Sequence, residues 1–189
     1  VLTAVQEETS SFNATKVITL LVVADNYKTA AGLTGLNNYT KVVTDADFDV
    51  DEPTSSSTAP IIYVLSDDEV ASISGKTITL KRDGVTKLYA YQQETGAHKA
   101  AAIASTLTVN LPEVPSITYN DALNLPIGNA IATISPTSSA GTVTKYEVWP
   151  PLPAGLSLSE QTGEISGTPT TLSAETRYQV SGSNLGGIS

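Results

Sequence analysis

The stretch LPAGLSLSEQTGEISGTPT, residues 152–170, decides the fold of this 189-residue chain. Gly155 and Gly163 stand where the backbone must reverse, since glycine accepts backbone angles that other residues avoid. The tripeptide Gly167–Pro169 closes a further turn ahead of a longer connection. Between the turns, apolar side chains fit the two-residue period of a strand that buries one face. They are Leu156, Leu158 and Ile165. The stretch therefore predicts short strands that hold a fold together, and not a catalytic or binding site.

The residues on either side extend this pattern. Tyr146 precedes the stretch, and YQVSGSNLGG (Tyr178–Gly187) follows it. The whole segment resembles the "putative Ig" family of bacterial and archaeal surface proteins. The hallmark of that family is Leu-Pro-x-Gly-Leu, then Thr-Gly-x-Ile-x-Gly-x-Pro, then a Tyr-x-Val strand ending in Asn and Gly. The resemblance covers residues 115–189 and implies an immunoglobulin-like domain.

The rest of the chain is also of β type. Short apolar runs are separated by Gly, Pro, Asn, Asp and Ser, and helical periodicity is almost absent. The run LPEVP (Leu111–Pro115) divides them into two sets, because two prolines around three residues cannot continue a paired central strand. We therefore predict an all-β chain of two tandem immunoglobulin-like β-sandwich domains, residues 1–111 and 116–189, joined by a proline-bracketed linker at residues 112–115.

Each domain has six or seven predicted strands. The segment Thr29–Asn38 (TAAGLTGLNN) is left open between a short helix and a long loop. The predicted strands are Lys16–Ala24, Tyr39–Thr44, Ile61–Leu65, Val70–Ile73, Thr77–Lys81, Lys87–Gln92 and Ala101–Val109 in the first domain, and Ser116–Tyr119, Ala130–Ile134, Val143–Val148, Leu156–Leu158, Glu164–Ile165 and Arg177–Ser181 in the second.

The first domain carries a second resemblance. SDDEVASISGKTITLKRDGVTKLYAY (Ser66–Tyr91) resembles the group 2 bacterial Ig-like domains of invasin- and intimin-type adhesins, in which a Val-Ala pair, a Gly turn, an apolar strand and a second Gly precede an alternating strand. Val70, Gly75, Gly84 and Leu88 fall on that pattern. Residues 1–60 are longer than the family's usual lead-in, so the first domain has an atypical N-terminal half.

Composition and motifs exclude several classes of protein. The chain has no cysteine, which removes disulfides, structural zinc–thiolate sites and thiol catalysis. The only histidine, His98, lies in a predicted loop, and neither a nucleophile elbow nor a phosphate-binding loop is present, so we expect no enzyme activity. Ten scattered Lys and Arg residues and a net charge of −9 exclude nucleic acid as a partner. The longest apolar run, Val17–Ala24, is far short of the ~20 residues of a membrane-spanning helix.

The acidic run DADFDVDE (residues 45–52) suggests a cation site. Its aspartates alternate, and alternate residues of a strand share a face ~6.6 Å apart. Two neighbouring carboxylates could converge on one calcium ion, whose oxygen ligands lie at ~2.4 Å, but four along an extended strand could not. Two interpretations stay open, a calcium site and a solvated acidic edge, and no other cofactor is expected. The candidate ligands are Asp45, Asp47, Asp49 and Asp51.

Two further features suggest surface roles. If Leu88 and Ala90 point inward, as the second resemblance implies, Tyr89 and Tyr91 lie outward together and form an interface or a glycan platform. Asn13 and Asn38 begin N-x-Thr sequons, which are candidate glycosylation sites.

These observations predict a non-catalytic, extracellular structural or adhesive module of a surface protein or filament. Its expected partners are other copies of itself or neighbouring Ig-like domains. Two alternatives stay open: a carbohydrate-binding module that contacts surface glycan through Tyr89 and Tyr91, and an accessory domain of a secreted hydrolase.

The end of the second domain suggests a mode of assembly. Proteins that resemble it continue past Gly187 into one more strand, so the second domain is expected to lack its final strand. An open sheet edge is a liability. Val1–Phe12 (VLTAVQEETSSF) begins with apolar residues and could insert as the missing strand of the next subunit, which would build a head-to-tail filament. The alternative is a fragment cut from a longer repeat protein.

Overall fold

The structure, a computed structural model, describes residues 2–5, 16–19, 28–120 and 125–189. Every regular element in these residues is a β-strand, which confirms the predicted all-β fold class. No helix in this part of the chain is long and apolar enough to cross a membrane. The chain divides into two compact units, residues 1–111 (unit 1) and residues 112–189 (unit 2).

The described residues of unit 1 form three sheets. The strands in chain order are β1 (Leu2–Val5), β2 (Lys16–Thr19), β3 (Tyr39–Val42), β4 (Phe48–Asp49), β5 (Ile61–Leu65), β6 (Ala71–Ser74), β7 (Thr77–Leu80), β8 (Gly84–Gln92) and β9 (Ala101–Asn110). A four-stranded sheet has the order β3-β9-β8-β5, in which β3 runs parallel to β9 and the other pairs are antiparallel. The antiparallel sheet β4-β7-β6 and the β1–β2 pair complete the unit.

The core of unit 1 draws on both larger sheets. Leu88 and Ala90 on β8 and Ile78 on β7 are fully buried. They face the core because alternate side chains of a strand point to the same face. Burying each of the larger side chains stabilises the fold by about 1.5–3 kcal/mol. The cluster of core residues is Val50, Leu65, Val70, Ala71, Ile78, Leu88, Leu107 and Val109.

The segment Thr29–Asn38 forms a loop, which settles the alternative left open by the sequence. It contains no helix, and single bridges hold it, from Thr29 to His98 and from Thr34 to Thr54. A buried amide secures the next loop: Gln92 Nε2 donates to Ala59 O at 2.5 Å, and Ser55 Oγ donates to Gln92 Oε1.

In unit 2, the residues that the structure describes also form three sheets, all antiparallel. They are β10–β11, β12-β15-β16 and β13–β14. The strands in chain order are β10 (Ser116–Thr118), β11 (Thr137–Ala140), β12 (Lys145–Trp149), β13 (Leu156–Leu158), β14 (Ile165–Gly167), β15 (Gln179–Asn184) and β16 (Gly187–Ile188).

Two glycines allow the β13–β14 hairpin to close. Gly155 has φ 90° and Gly167 has φ 125°, both in the region that favours glycine. A Cβ on Gly155 would lie 1.9 Å from Thr168 O, and one on Gly167 would lie 2.1 Å from Gly155 O. The glycines predicted from the sequence as turn residues are therefore also required by the close approach of the two strands.

A third glycine lies against a pair of tyrosines. Gly163 has φ 72°, and a Cβ on it would lie 2.6 Å from the ring of Tyr146, which is buried. Tyr119 Oη donates to Gly163 O at 2.6 Å and fixes the same turn. Burial, followed by the proximity of Tyr146, raises the pKa of Tyr119 to about 12.

Several strands differ from those predicted in unit 2. Residues 130–134 are not a strand: Ile134 forms one bridge to Ile165, and Ile131 N donates to Gly167 O. Thr137–Ala140 forms β11, which pairs with β10. It was not predicted, because residues 137–139 are all polar and give no two-residue apolar period. Gly187–Ile188 forms the short strand β16 on β15.

In unit 1 the unpredicted strand is β4, within the acidic run. Of the predicted strand Lys16–Ala24, the part Lys16–Thr19 is β2, and residues 20–24 lie outside the described residues.

Candidate functional site

Asp45 is separated from the other aspartates of the acidic run by a turn. Its Oδ2 accepts a hydrogen bond from Val42 N at 2.9 Å, and its own N donates to Val42 O at 2.8 Å. The side chain therefore closes the turn after β3, as aspartate commonly does.

Asp47 and Asp49 lie together on the outer face of the β4-β7-β6 sheet. Asp49 accepts from Thr77 Oγ1 at 2.7 Å, and Asp47 accepts from Thr79 Oγ1 at 2.8 Å. Lys76 Nζ lies 3.2 Å from Asp49 Oδ2. The hydrogen bond from Thr77, and then the one from Lys76, lower the pKa of Asp49. The side chains of this pair are thus used to join β4 to β7.

Asp51 belongs to a third environment. Its Oδ2 accepts from Asn37 Nδ2 at 3.1 Å and from Tyr39 Oη at 3.3 Å, and its N donates to Tyr39 Oη at 2.8 Å. Burial is the main cause of the raised pKa of Tyr39. The aspartates of the acidic run therefore have three separate roles: Asp45 closes a turn, Asp47 and Asp49 join β4 to β7, and Asp51 contacts a loop.

Calcium binding by this run stays a prediction. Two of the four candidate carboxylates, Asp47 and Asp49, share a face, and each already has a hydroxyl partner. Within residues 28–120 and 125–189, no three His, Cys, Asp or Glu side chains are grouped so that they could hold a metal ion.

Tyr89 and Tyr91 point outward from β8, opposite in direction to the buried Leu88 and Ala90. The register of the sheet places Val64 and Ala104 on either side of Tyr89, and Ile62 and Ala102 on either side of Tyr91. We call these six residues the tyrosine face. They are Ile62, Val64, Tyr89, Tyr91, Ala102 and Ala104.

The tyrosine face is suited to a protein contact. The solvent side of an antiparallel sheet is normally polar, whereas this one carries two half-buried tyrosines among four aliphatic side chains. Exposed apolar patches with aromatic residues mark interaction sites. Apart from the two phenolic hydroxyls, the six side chains offer no hydrogen-bonding group to a sugar.

The remaining candidates are isolated side chains. Asn13 lies outside the described residues. Asn38 is exposed, and its Oδ1 accepts from Thr106 N at 2.8 Å; glycosylation at both positions stays a prediction. His98 lies in a loop, where its backbone N donates to Thr95 Oγ1 at 3.0 Å.

Trp149 is the residue that the sequence reasoning missed. It ends β12 with 74% of its surface exposed, opposite Gln179 of β15. Tyr146 points inward, and a residue three positions further on the same strand must point outward. The only tryptophan of the chain could therefore have been assigned to the surface from its spacing to Tyr146.

Comparison with known proteins supports the assignment of unit 2. Residues 104–189 match the model of the putative Ig domain family, which confirms the resemblance found in residues 115–189. The likeness of residues 66–91 to group 2 bacterial Ig-like domains stays a prediction. No curated protein matches the chain.

Solved structures with multiple extracellular or muscle domains give only distant matches. A chimeric titin Z1Z2-Z1Z2 tandem is 14% identical, with 84% of this chain and 94% of that chain covered and a TM-score of 0.32. Drosophila N-cadherin EC1-4 is 14% identical, with 82% and 45% covered and a TM-score of 0.35. Human protocadherin-24 EC1-2 is 11% identical, with 86% and 92% covered and a TM-score of 0.33. At TM-scores this low, these structures carry no argument about this chain.

Proposed function

We propose, from the match of residues 104–189 to the putative Ig domain family and from the tyrosine face of unit 1, that the chain is a non-catalytic structural and adhesive module. It acts outside the cell, as part of a surface protein or filament. Its partners are other copies of itself or neighbouring Ig-like domains.

The tyrosine face is the observation that carries this proposal. Tyr89 and Tyr91 bring large aromatic areas with few rotatable bonds, and the flanking alanines leave the rings accessible from the side of β9. Residues of this kind at the centre of an interface commonly account for most of its binding free energy. The face is apolar, so association through it is driven by removal of apolar surface from water.

The ionisable groups support a non-catalytic role. Strongly shifted pKa values often mark catalytic groups. Here burial raises the pKa of three tyrosines, and hydrogen-bonded neighbours shift the pKa of one aspartate and one lysine. Burial or a neighbouring side chain of the fold accounts for each shift. The groups are Tyr39, Tyr63, Tyr119, Asp49 and Lys145.

Removing the two rings tests the proposal. In sedimentation velocity over a concentration series, the full chain is expected to self-associate. The double variant Tyr89→Ser with Tyr91→Ser is expected to raise the dissociation constant of self-association at least about tenfold. Val85→Ser is the matched control, because Val85 is an exposed apolar residue of the same strand and direction, outside the tyrosine face. A chain that stays monomeric, or a double variant that associates like the wild type, contradicts the proposal. Polysaccharide binding lost in the double variant would reassign the face to glycan.

A finer proposal concerns head-to-tail assembly by strand donation. β15 has β12 along one edge, whereas the two-residue strand β16 covers only part of the other. In the part of unit 2 that the structure describes, the second edge beside Gln179–Ser181 has no strand next to it. We propose that residues 1–12 of another copy add a strand there. Because Leu2–Val5 pairs with Lys16–Thr19 in the structure, donation requires that hairpin to open.

Deletion of residues 1–12 tests strand donation. The shortened chain is expected to lose filaments or oligomers and to give a soluble monomer with a lower melting temperature. Added peptide VLTAVQEETSSF is expected to bind this monomer and to restore the melting temperature. An association state that is unchanged by the deletion contradicts strand donation and leaves the tyrosine face to be judged by its own variants.

A further inference from the structure

The outer face of β12 and β15 has a chemistry unlike that of the tyrosine face. Trp149 lies there with 74% of its surface exposed, although tryptophan is mostly buried in folded proteins. The register places Gln179 directly opposite Trp149, and Ser181 opposite Glu147. We call these four residues the tryptophan face.

The neighbours of Trp149 are rich in hydrogen-bonding groups. Gln179 offers both an amide donor and an amide acceptor, Ser181 offers a hydroxyl, and Glu147 offers carboxylate oxygens. Side chains directly opposite each other on paired strands have Cβ atoms about 5 Å apart, and alternate residues of one strand are ~6.6 Å apart. These polar groups therefore surround the indole on two sides. The apolar Ile188 lies two rows away, beside Ser183.

This arrangement suits a sugar better than a protein. A sugar ring presents an apolar C–H face, which packs on an aromatic ring, and a rim of hydroxyl groups, which need donors and acceptors. A protein contact centred on Trp149 would bury the amide, the hydroxyl and the carboxylate, and each one left unpaired would weaken binding. Charged residues are also depleted at the centres of protein interfaces.

We infer that the tryptophan face is a binding site for a neutral polysaccharide. Trp149 stacks on one sugar ring, and Gln179 and Ser181 bind the hydroxyl groups at its edge. Pro150 and Pro151 follow directly and limit the backbone after the indole. The inference does not depend on the tyrosine face of unit 1, which carries the proposed function.

The electrostatics of this face and of the chain favour a neutral ligand. Within β12 and β15 the one cation is Lys145, which donates a hydrogen bond to Glu147 and is thus paired. The chain has a net charge of −9, so an anionic polysaccharide is repelled.

The site can be followed by its own fluorescence, because Trp149 is the only tryptophan of the chain. The full chain is titrated with four soluble neutral polysaccharides, laminarin, xylan, galactomannan and hydroxyethyl cellulose, and with the anionic alginate. At least one neutral polysaccharide is expected to change the emission in a saturable way and to retard the protein in affinity electrophoresis. Alginate is expected to do neither.

Variants then assign the binding to the tryptophan face. In affinity electrophoresis, Trp149→Ala is expected to weaken binding at least about tenfold, and Gln179→Ala about three- to tenfold, as for one lost hydrogen bond. Leu172→Ala is the control, because Leu172 is an apolar residue of unit 2 with 90% of its surface exposed and lies outside this face. It is expected to bind like the wild type, as is the double variant of the tyrosine face.

Three results would overturn the inference. The first is that none of the four neutral polysaccharides binds. The second is that Trp149→Ala binds as tightly as the wild type. The third is an emission change that depends on protein concentration alone, which would make Trp149 part of a protein contact.

Discussion

Gly155→Ala is expected to unfold unit 2 far more readily than a glycine replacement in open space. Gly155 has φ 90°, and Gly128, in the same unit, has φ 79°. The left-handed backbone costs a residue with a Cβ about 1–2 kcal/mol, and the loss of unfolded-state entropy returns about 0.4–1 kcal/mol. Nothing lies within 4 Å of a Cβ on Gly128, so Gly128→Ala should cost about 1 kcal/mol.

Gly155→Ala adds a collision with a backbone atom. The new Cβ would lie 1.9 Å from Thr168 O, and Thr168 N in turn donates to Gly155 O at 2.8 Å. Rotating this carbonyl would displace the two residues that follow it, of which Pro169 accepts from Gly128 N and Thr170 N donates to Ala154 O, each at 2.9 Å. We expect a cost above about 4 kcal/mol, in the range of the most damaging single substitutions. For a unit of this size each kcal/mol lowers the melting temperature by about 4–8 °C.

Fluorescence of Trp149 during thermal unfolding of the full chain measures the effect, since that residue reports on unit 2. Gly128→Ala should lower the midpoint by about 4–8 °C, and Gly155→Ala by about 16 °C or more, or leave no folded unit 2 at all. Equal shifts in the two variants would refute the steric reasoning, because the two positions differ mainly in the space around them.

Three further predictions concern other parts of the structure. Gln92→Ala leaves the partly buried Ala59 O without its donor and should lower the free energy of unfolding by about 1–3 kcal/mol in urea titrations, whereas Gln93→Ala, at an exposed position, should be neutral. The pKa of Tyr119 is raised from 10.0 to about 12, so its contribution to stability is complete below pH 10 and is lost between pH 10 and pH 12. Tyr119→Phe should therefore make the melting temperature less sensitive to pH in that window. A pH profile that is unchanged in this variant would contradict the prediction. Calcium bound at Asp47 and Asp49 should raise the melting temperature at millimolar concentration, and Asp47→Asn should abolish that rise; an unchanged melting temperature would leave the solvated acidic edge.

Local features of the fold could be predicted from the sequence. The turn glycines Gly155 and Gly163 are required by backbone angles within a few residues. The resemblance of residues 66–91 to group 2 bacterial Ig-like domains implied that Leu88 points inward, and the alternation of a strand then put Tyr91 on the outer face. Strand β11 could not be predicted, because its first three residues are polar on both faces and so give no two-residue apolar period. The apolar residues 130–134 gave the signal of a strand, yet only one bridge forms there.

The candidate sites show the same division between local and distant information. The alternation of Asp47 and Asp49 predicted that the two carboxylates share a face. Their threonine partners could not be predicted, because they belong to another strand and depend on the β4–β7 register. The aliphatic neighbours of Tyr91 likewise come from β5 and β9. Sequence alone therefore identified the tyrosines as exposed and left their partner open between protein and glycan.

The partner of an exposed aromatic residue is decided by the side chains around it more than by the ring. Tyr91 lies between Ile62 and Ala102, so a ligand there meets aliphatic surface and gains most by bringing apolar surface of its own. Trp149 lies beside Gln179 and close to Ser181, so a ligand there must supply hydroxyl or amide groups as well as an apolar face. Exchanging the surroundings should therefore exchange the partners: Gln179→Leu with Ser181→Val should weaken polysaccharide binding and increase self-association, although Trp149 is untouched. Polysaccharide binding that survives this double substitution would show that the ring alone determines the partner, against the reasoning given for both faces.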